Sequence, residues 1–369
     1  MQTKIIETEA ELAALAEPWR TLAERSGARP FQDFGWSSAW LRTFGAAGGY
    51  QVRVATLWDD TRLVTVLPLA VRRLKGVRVL EWLGEQVTDY CDAIVDPAVD
   101  ARASLAHLWD ELNRRGGFDL VRLKHVRADA RVSDLVDRLN PWVETTGAAY
   151  GIPIDCPTGK DWLERLPARR RERLSYNLRR MGRMGFEFSI WQPPAPLEPI
   201  VATLLEQKRS WLAAQGLGGP LQQEPAGQFL RLLAKEMAGR GLHLSVIRSQ
   251  DAIAACHLGF LRNGVLYSYM PSYDLSLQKY SLGNVLRETL IMWACDNGVR
   301  RFDLLLGDEE YKTQYESCTR EPVRTLVIPR GLLGRAAVSV YRVGARHRGR
   351  RLEGERQPGG VSIADSAAD

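Results

Sequence analysis

The sequence predicts an α/β chain in which a mixed sheet of the α+β kind is built twice. Two observations carry this prediction. Segments rich in β-branched and aromatic residues alternate with helical segments of ten or more residues. One order of elements also occurs in each half of the chain. In the first half a meander runs through 52–58, turns at Asp59-Asp60, continues through 63–71 and returns through 77–83. In the second half it runs through 242–248, turns near 249–251, continues through 253–261 and returns from 265 to 270 after Asn263-Gly264. A helix, a strand and a helix follow each meander. They are 101–115, 120–126 and 131–139 in the first half, and 283–296, 302–306 and 309–316 in the second. The duplication places domains at 1–155 and 156–330, followed by a basic tail at 331–369.

Composition narrows the function classes. A chain of 369 residues with 45% hydrophobic content can bury two ordinary cores. No run of about 18 apolar residues exists, so no membrane span is expected. The N-terminus lacks a basic region followed by an apolar one, so no signal peptide and a cytoplasmic location are expected. The five cysteines (Cys91, Cys156, Cys256, Cys295, Cys318) have no metal spacing, and an odd count argues against a disulfide framework. They read as free thiols in a reducing compartment. The five histidines form no cluster, so no metal is expected. From Arg346 onward the tail is polar, glycine-rich and without periodicity, which predicts disorder. Residues 331–344 read as one more short helix or an arm.

The net charge of +6 is local. Residues 161–183 hold eight arginines against Asp161, Glu164 and Glu172, and 331–369 hold seven arginines against four acids. The remainder is slightly acidic, so nucleic acid is not expected as a general partner. Within 161–183, Leu163, Leu166, Leu174, Leu178 and Met181 make the apolar stripe of an arginine-rich helix. It reads either as a docked helix with a solvated basic face or as a site for an acyl carrier protein, an anionic polysaccharide precursor, a membrane surface or tRNA.

The most informative stretch is residues 302–315, Phe-Asp-Leu-Leu-Leu-Gly-Asp-Glu-Glu-Tyr-Lys-Thr-Gln-Tyr. Its apolar run predicts a buried strand, Gly307 breaks it, and Asp308 can cap a following helix whose positive end suits Glu309 and Glu310. Tyr311 and Tyr315 are four apart and would share a helix face, packed against the sheet or turned to chemistry. A strand tip beside a helix start is where α/β proteins bind ligands. Upstream, Gln278 to Val285 read as a second helix start with Ser281 as its cap, Gly283 allowing close approach and Lys279 adding charge. Along strand 253–261, Ala254, Cys256, Leu258 and Phe260 take one face and Ile253, Ala255, His257 and Gly259 the other. The small neighbours Ala255 and Gly259 leave open space beside His257, which suits a general base. The other reading of His257 is a core histidine bonded to Tyr267 or Tyr269.

Residues 302–315 resemble the C-terminal signature of the CelD/BcsL-type branch of the GNAT N-acyltransferases, which often reads Phe-Asp-Phe-x-x-Gly-Asp-x-x-Tyr-Lys followed by an aromatic. Two more blocks agree in order and spacing: 253–260, followed by 265–269 and Tyr273-Asp274, and Ser281-Leu282-Gly283-Asn284-Val285-Leu286, where the branch usually has Ser-Pro-Gly-x-x-Leu. The resemblance covers about residues 160–325 and is weaker over 30–150. It implies tandem GNAT-like domains, the architecture of the Fem-type aminoacyltransferases as well. The second would be catalytic. The first would be a degenerate copy lining the substrate cleft, since 120–126 carry no glycine-acid-tyrosine turn.

The implied activity is an acyl-CoA-dependent N-acyltransferase, with acetyl-CoA or a longer acyl-CoA as co-substrate. The acceptor would be a small-molecule, peptide or saccharide amine, in polysaccharide, secondary-metabolite or peptide modification. A Fem-like aminoacyl-tRNA-dependent transferase and a non-catalytic GNAT-like scaffold of exopolysaccharide synthesis are the alternatives. Acyl transfer needs a held donor, a polarised carbonyl, a proton acceptor for the amine and a proton donor for the thiolate. The implied donor site is Gln278, Lys279, Ser281, Gly283, Asn284 and Val285. His257 is the candidate base, with Asp303 and Glu309 as alternatives, and Tyr311 the candidate acid, with Tyr315 behind it. Tyr269, Tyr273, Asp274, Asp308, Lys312 and Tyr315 are the candidates for contact with substrate.

Overall fold

The computed structural model describes residues 1–250 and 252–339, apart from the side chains of 136, 137 and 144–146. In chain order the first part contains β1 (Gln2–Ile6), α1 (Glu9–Ala14), α2 (Ala16–Arg25), α3 (Phe34–Trp40), β2 (Gln51–Val52), β3 (Val54–Asp59), β4 (Arg62–Leu67), β5 (Leu69–Leu74), β6 (Val77–Trp82), β7 (Ile94–Val95), α4 (Ala101–Arg115), β8 (Leu120–Arg127) and α5 (Val136–Leu139). There follow β9 (Trp142–Pro153), α6 (Gly159–Arg165), α7 (Ala168–Arg183), β10 (Glu187–Ile190), α8 (Glu198–Ala214), α9 (Pro225–Met237), β11 (Leu242–Arg248), β12 (Ile253–Arg262), β13 (Val265–Tyr273), α10 (Leu282–Asp296), β14 (Arg301–Leu306) and β15 (Thr319–Pro329). Two compact units result. Among the described residues, one comprises 1–147 with 321–339, the other 148–320.

In the first unit the expected meander is cut. Pro68 has no N–H for a ladder, and the strand expected over 63–71 becomes β4 and β5, which join different sheets. β4 lies in the order β1-β3-β4-β7, and β5 in the order β15-β8-β6-β5-β2. α4 crosses from β6 to the parallel β8. Its residues Leu105, Leu108 and Leu112 meet Leu57, Val64, Leu80, Val121, Leu123 and Leu326 in one buried core. The helix expected over 131–139 is a 3₁₀ turn (Arg131–Leu135) followed by the single turn α5.

The second unit orders its strands β10-β11-β12-β13-β14-β9. All neighbours are antiparallel except β13 and β14, which α10 connects as a parallel pair. That pair holds only from Val265↔Arg301 to Tyr267↔Asp303. β13 then continues with β12 as far as Tyr273, and β14 continues with β9 as far as Leu306. β14 is bulged where it leaves β13: Leu305 has φ +60°, and its N–H donates to the Asp303 carboxylate at 2.9 Å. The two strands therefore part towards their C-terminal ends, and the chain leaving β13 enters the N-terminus of α10 through a 3₁₀ turn (Leu275–Tyr280). Diverging parallel strands next to a helix start are a ligand crevice of α/β sheets. The β–α–β order β6-α4-β8 of the first unit repeats as β13-α10-β14. Each crossover helix is followed by Phe-Asp-Leu, at 118–120 and 302–304.

The strand alternation read from the sequence holds in β12. Cys256 and Ser272 face Gln207 of α8. His257 and His243 face Trp293 of α10. Three local readings differ. The helix expected over 309–316 is a 3₁₀ turn, Glu310–Gln314, that ends with Tyr315 already extended, because the chain enters β15 four residues later. The arginine-rich helix is two helices. Leu166 precedes Pro167 and is pushed to ψ 143°, which separates α6 from α7. Residues 331–339 are helical. The tail from Arg346 lies outside the described residues.

Candidate active site

α10 begins without a side-chain cap. Ser281, expected to cap it, has left-handed backbone (φ 53°), and its hydroxyl instead accepts a hydrogen bond from Arg173 at 2.8 Å. The first-turn N–H groups of a fifteen-residue helix are thus left for another acceptor. A pocket of about 370 Å³ opens here. Arg169, Arg170, Arg173, Leu174 and Asn177 of α7 line it, with Ser281, Asn284, Val285 and Glu288 from the start of α10 and Gln314 from the turn after β14. Two features read separately from the sequence, the arginine-rich segment and the helix start, therefore form one site. Of the six expected donor-binding residues, Ser281, Asn284 and Val285 line it. Gly283 is half-buried on the first turn, and Gln278 and Lys279 are exposed on the preceding turn, with the Lys279 ammonium 5.3 Å from the Tyr280 ring centre.

A buried polar network lies at one wall of the pocket. The Glu288 carboxylate, 2% exposed, accepts from Trp162 Nε1 at 3.0 Å, from the Tyr315 hydroxyl at 2.9 Å and from Arg170. The Tyr315 hydroxyl accepts in turn from Arg287 Nε at 2.9 Å, and Arg287 also donates to Asn284 Oδ1. The Arg170 guanidinium lies 4.2 Å from the Tyr315 ring centre, and that of Arg287 lies 4.0 Å from the Tyr311 ring centre. Burial pushes the Tyr315 phenol well above its usual pKa, so it stays protonated. Burial works against the charge on Arg287, but Tyr315, Tyr311 and Glu288 hold its pKa above the ordinary value. Tyr311 and Tyr315 do not share a helix face as expected. Each is nonetheless buried against the same arginine.

The acids after β14 have separate tasks. The Asp303 carboxylate is buried and closes the bulge at Leu305, so it is a structural group rather than an accessible base. Asp308 caps no helix. It is exposed and accepts from the Tyr150 hydroxyl at 2.8 Å, while Arg320 Nε donates to the same hydroxyl at 3.0 Å. Glu309 pairs at 2.8 Å with Lys312, whose side chain is fully buried and donates to the Leu306 carbonyl. Lys312 therefore holds the turn and does not reach out to substrate.

The open space expected beside His257 is absent. Its own ring fills the volume above Gly259, where an added Cβ would lie 2.4 Å from His257 Cε1. His257 is 0% exposed, and its Nε2 is bonded to Ser268 Oγ at 3.0 Å rather than to Tyr267 or Tyr269. Burial first, then the neighbouring His243, hold its pKa well below the usual value. It is a buried core histidine that burial holds neutral. Tyr269 and Tyr273 are buried in β13, and the Asp274 carboxylate accepts from Ser276 N–H at 2.8 Å, so these three shape the sheet end and the turn into α10. The sequence reading missed Glu288, Arg287, Trp162 and Tyr150. Helical spacing could have found Glu288, since Ser281, Asn284 and Glu288 recur at i, i+3 and i+7 on one face. Among the described residues no group of three metal-binding side chains could hold a metal ion, and no helix is long and apolar enough to cross a membrane.

Residues 168–313 match the acetyltransferase (GNAT) domain family, a span that runs from α7 through the pocket to the turn after β14. Among solved structures, FemX is similar at 10% identity over 88% of this chain and 97% of its own, with a TM-score of 0.58. L-PGS from Bacillus licheniformis is similar at 13% identity over 91% and 96%, with a TM-score of 0.57. The C-terminal domain of a putative lysylphosphatidylglycerol synthetase from Agrobacterium fabrum is similar at 13% identity over 89% and 96%, with a TM-score of 0.54. At these identities the likeness is one of fold. Among curated proteins none matches the sequence.

Proposed function

We propose that this chain works as a GNAT-type acyltransferase, on the match of residues 168–313 in its second unit to the acetyltransferase (GNAT) domain family. We propose that it is an acyl-CoA-dependent N-acyltransferase of the CelD/BcsL-type branch, working in the cytoplasm on an amine acceptor of the kind found in polysaccharide or peptide modification. The observation that supports this reading is the pocket where three arginines of α7 meet the uncapped start of α10. Guanidinium groups and free helix N–H groups both favour phosphate oxygens. Arg169, Arg173, Asn284 and the α10 N–H groups would hold the diphosphate of coenzyme A, and the thioester supplies an activated acyl carbon. The amine nitrogen forms its bond to that carbon as the C–S bond breaks. Of Asp303, Asp308 and Glu309, only Asp308 is exposed, held by the Tyr150 hydroxyl with Arg320 3.9 Å away, so it is the proposed group that holds the amine and takes its proton. Tyr311, at the turn after β14, is the proposed proton donor to the thiolate.

The test is thermal stabilisation by coenzyme A together with thiol release from a panel of acyl-CoAs. Gly283→Asp places a carboxylate on the first turn of α10, which suits the helix dipole but repels a diphosphate. It should keep its melting temperature and lose stabilisation by coenzyme A. Unchanged stabilisation by coenzyme A in this variant would overturn the placement of the donor, and absence of thiol release with every acyl-CoA would overturn the CoA reading.

A further inference from the structure

Most arginines elsewhere in this fold are neutralised: Arg25 by Asp96, Arg53 by Glu7, Arg72 and Arg122 by Glu81, Arg78 by Asp119, Arg138 by Asp110. α7 is different. Arg170 turns inward to Glu288. Arg169, Arg171, Arg173, Arg179, Arg180 and Arg183 pair with no carboxylate among the described residues. Of these, Arg171 and Arg183 donate to backbone carbonyls, Arg173 donates to the Ser281 hydroxyl, and Arg180 lies over the Tyr280 ring. Arg169, Arg173, Tyr176, Arg179 and Arg183 are all exposed and recur every three or four residues, so they form one ridge along the helix. Tyr176, half exposed, sits in the middle of the ridge, and Met184, also exposed, sits at its far end. From Arg169 to Arg183 the ridge is about 21 Å long at the helical rise. One end enters the pocket, since Arg169 and Arg173 line it, and the other end lies beyond it.

Arg179 and Arg183 lie outside the pocket lining, so this part of the ridge offers charge that the proposed diphosphate contacts do not use. We propose that the acyl donor is delivered on an acidic acyl carrier protein, whose acidic helix lies along the α7 ridge while its phosphopantetheine arm enters the pocket at the start of α10. This deepens the reading above and rests on it, because the carrier's arm and coenzyme A present the same thioester. Three features select a folded acidic protein. The ridge is straight and one helix long, which matches another helix. It has apolar contact points in Tyr176 and Met184 among its charges, as protein interfaces do. The charge outside 161–183 and 331–369 is slightly acidic, which disfavours the broad contact of a long polyanion such as tRNA. The transfer balances as before: the amine N–C bond forms, the C–S bond to the carrier's arm breaks, the amine gives up a proton and the carrier's thiolate takes one up.

The experiment compares kcat/KM for one acyl group presented on coenzyme A and on the acyl carrier protein of fatty-acid synthesis, in the full chain and in Arg179→Glu/Arg183→Glu. Both positions are exposed and lie outside the pocket, and the fold is checked by circular dichroism. The expected result is efficient use of the carrier-bound donor that falls about tenfold or more in the variant and weakens with salt, while use of acyl-CoA stays within about twofold. Turnover of acyl-CoA alone overturns the carrier proposal and leaves the CoA reading standing. Turnover of neither donor overturns both. Equal losses for both donors, or carrier turnover indifferent to the variant, would also sink it, as would a variant that loses binding to tRNA or to anionic lipid vesicles while carrier turnover is kept.

Discussion

His243 and His257 lie in the core of the second unit with ring centres 5.9 Å apart, and His243 packs 4.6 Å from the Trp293 ring. Neither ring nitrogen of His243 finds a hydrogen-bond partner in another described residue, and it is 5% exposed. Burial lowers its pKa to about 4 from the ordinary 6.5. Between those values the unfolded chain binds a proton that the folded chain refuses, so stability rises with pH there. The contribution is fully present above about pH 6.5 and is lost as pH falls towards 4. At roughly 1.4 kcal/mol per pKa unit the full loss is about 3 kcal/mol, of which about 2 kcal/mol has gone by pH 5. His243→Phe keeps a ring against Trp293 and removes both the titration and the orphan nitrogens. Urea unfolding followed by tryptophan fluorescence at pH 8 and pH 5 measures the difference. The variant should lose about 2 kcal/mol less than the wild type over that range. The same pH slope in both proteins would refute the burial argument. His257→Ala adds the functional half of the test. Corrected for the folded fraction, its pH–rate profile should keep the wild-type acidic limb. Disappearance of that limb in a folded variant would restore His257 as the base.

Two further substitutions probe the site's supports. Tyr315→Phe leaves Arg287 Nε without its acceptor and Glu288 without one donor, both buried, so the melting point should fall by the equivalent of about 1–3 kcal/mol. An unchanged melt would show that the network does not hold the turn after β14. Gly259→Ala puts a methyl 2.5 Å from the Tyr267 carbonyl as well as against the His257 ring, and backbone cannot give way as a side chain can. A loss of about 1–3 kcal/mol in urea is expected, and wild-type stability would contradict the close packing of β12 on β13.

What was legible in the sequence was local, and what was not depended on partners far along the chain. Strand alternation put His257 and Cys256 on opposite faces of β12 correctly, because period two follows from the pleat. It could not say that the room above Gly259 is taken by the His257 ring itself, since an empty Cβ position marks volume and not its occupant. Tyr311 and Tyr315 were paired by assuming 3.6 residues per turn. The short path from Leu306 to Thr319, anchored by buried Lys312, winds a tighter turn instead, and Arg287 gathers the two rings from different sides. The arginines of α7 were visible as charge, but their destination was not. Arg173 meets Ser281 and Arg170 meets Glu288 across more than a hundred residues, and only the fold brings that charge to an uncapped helix start. A basic helix is by itself an ordinary solvated face. Beside free N–H groups it has the makings of the proposed anion site. Compensation for its arginines would come with the ligand, so removing charge at the pocket end should cost binding more than folding.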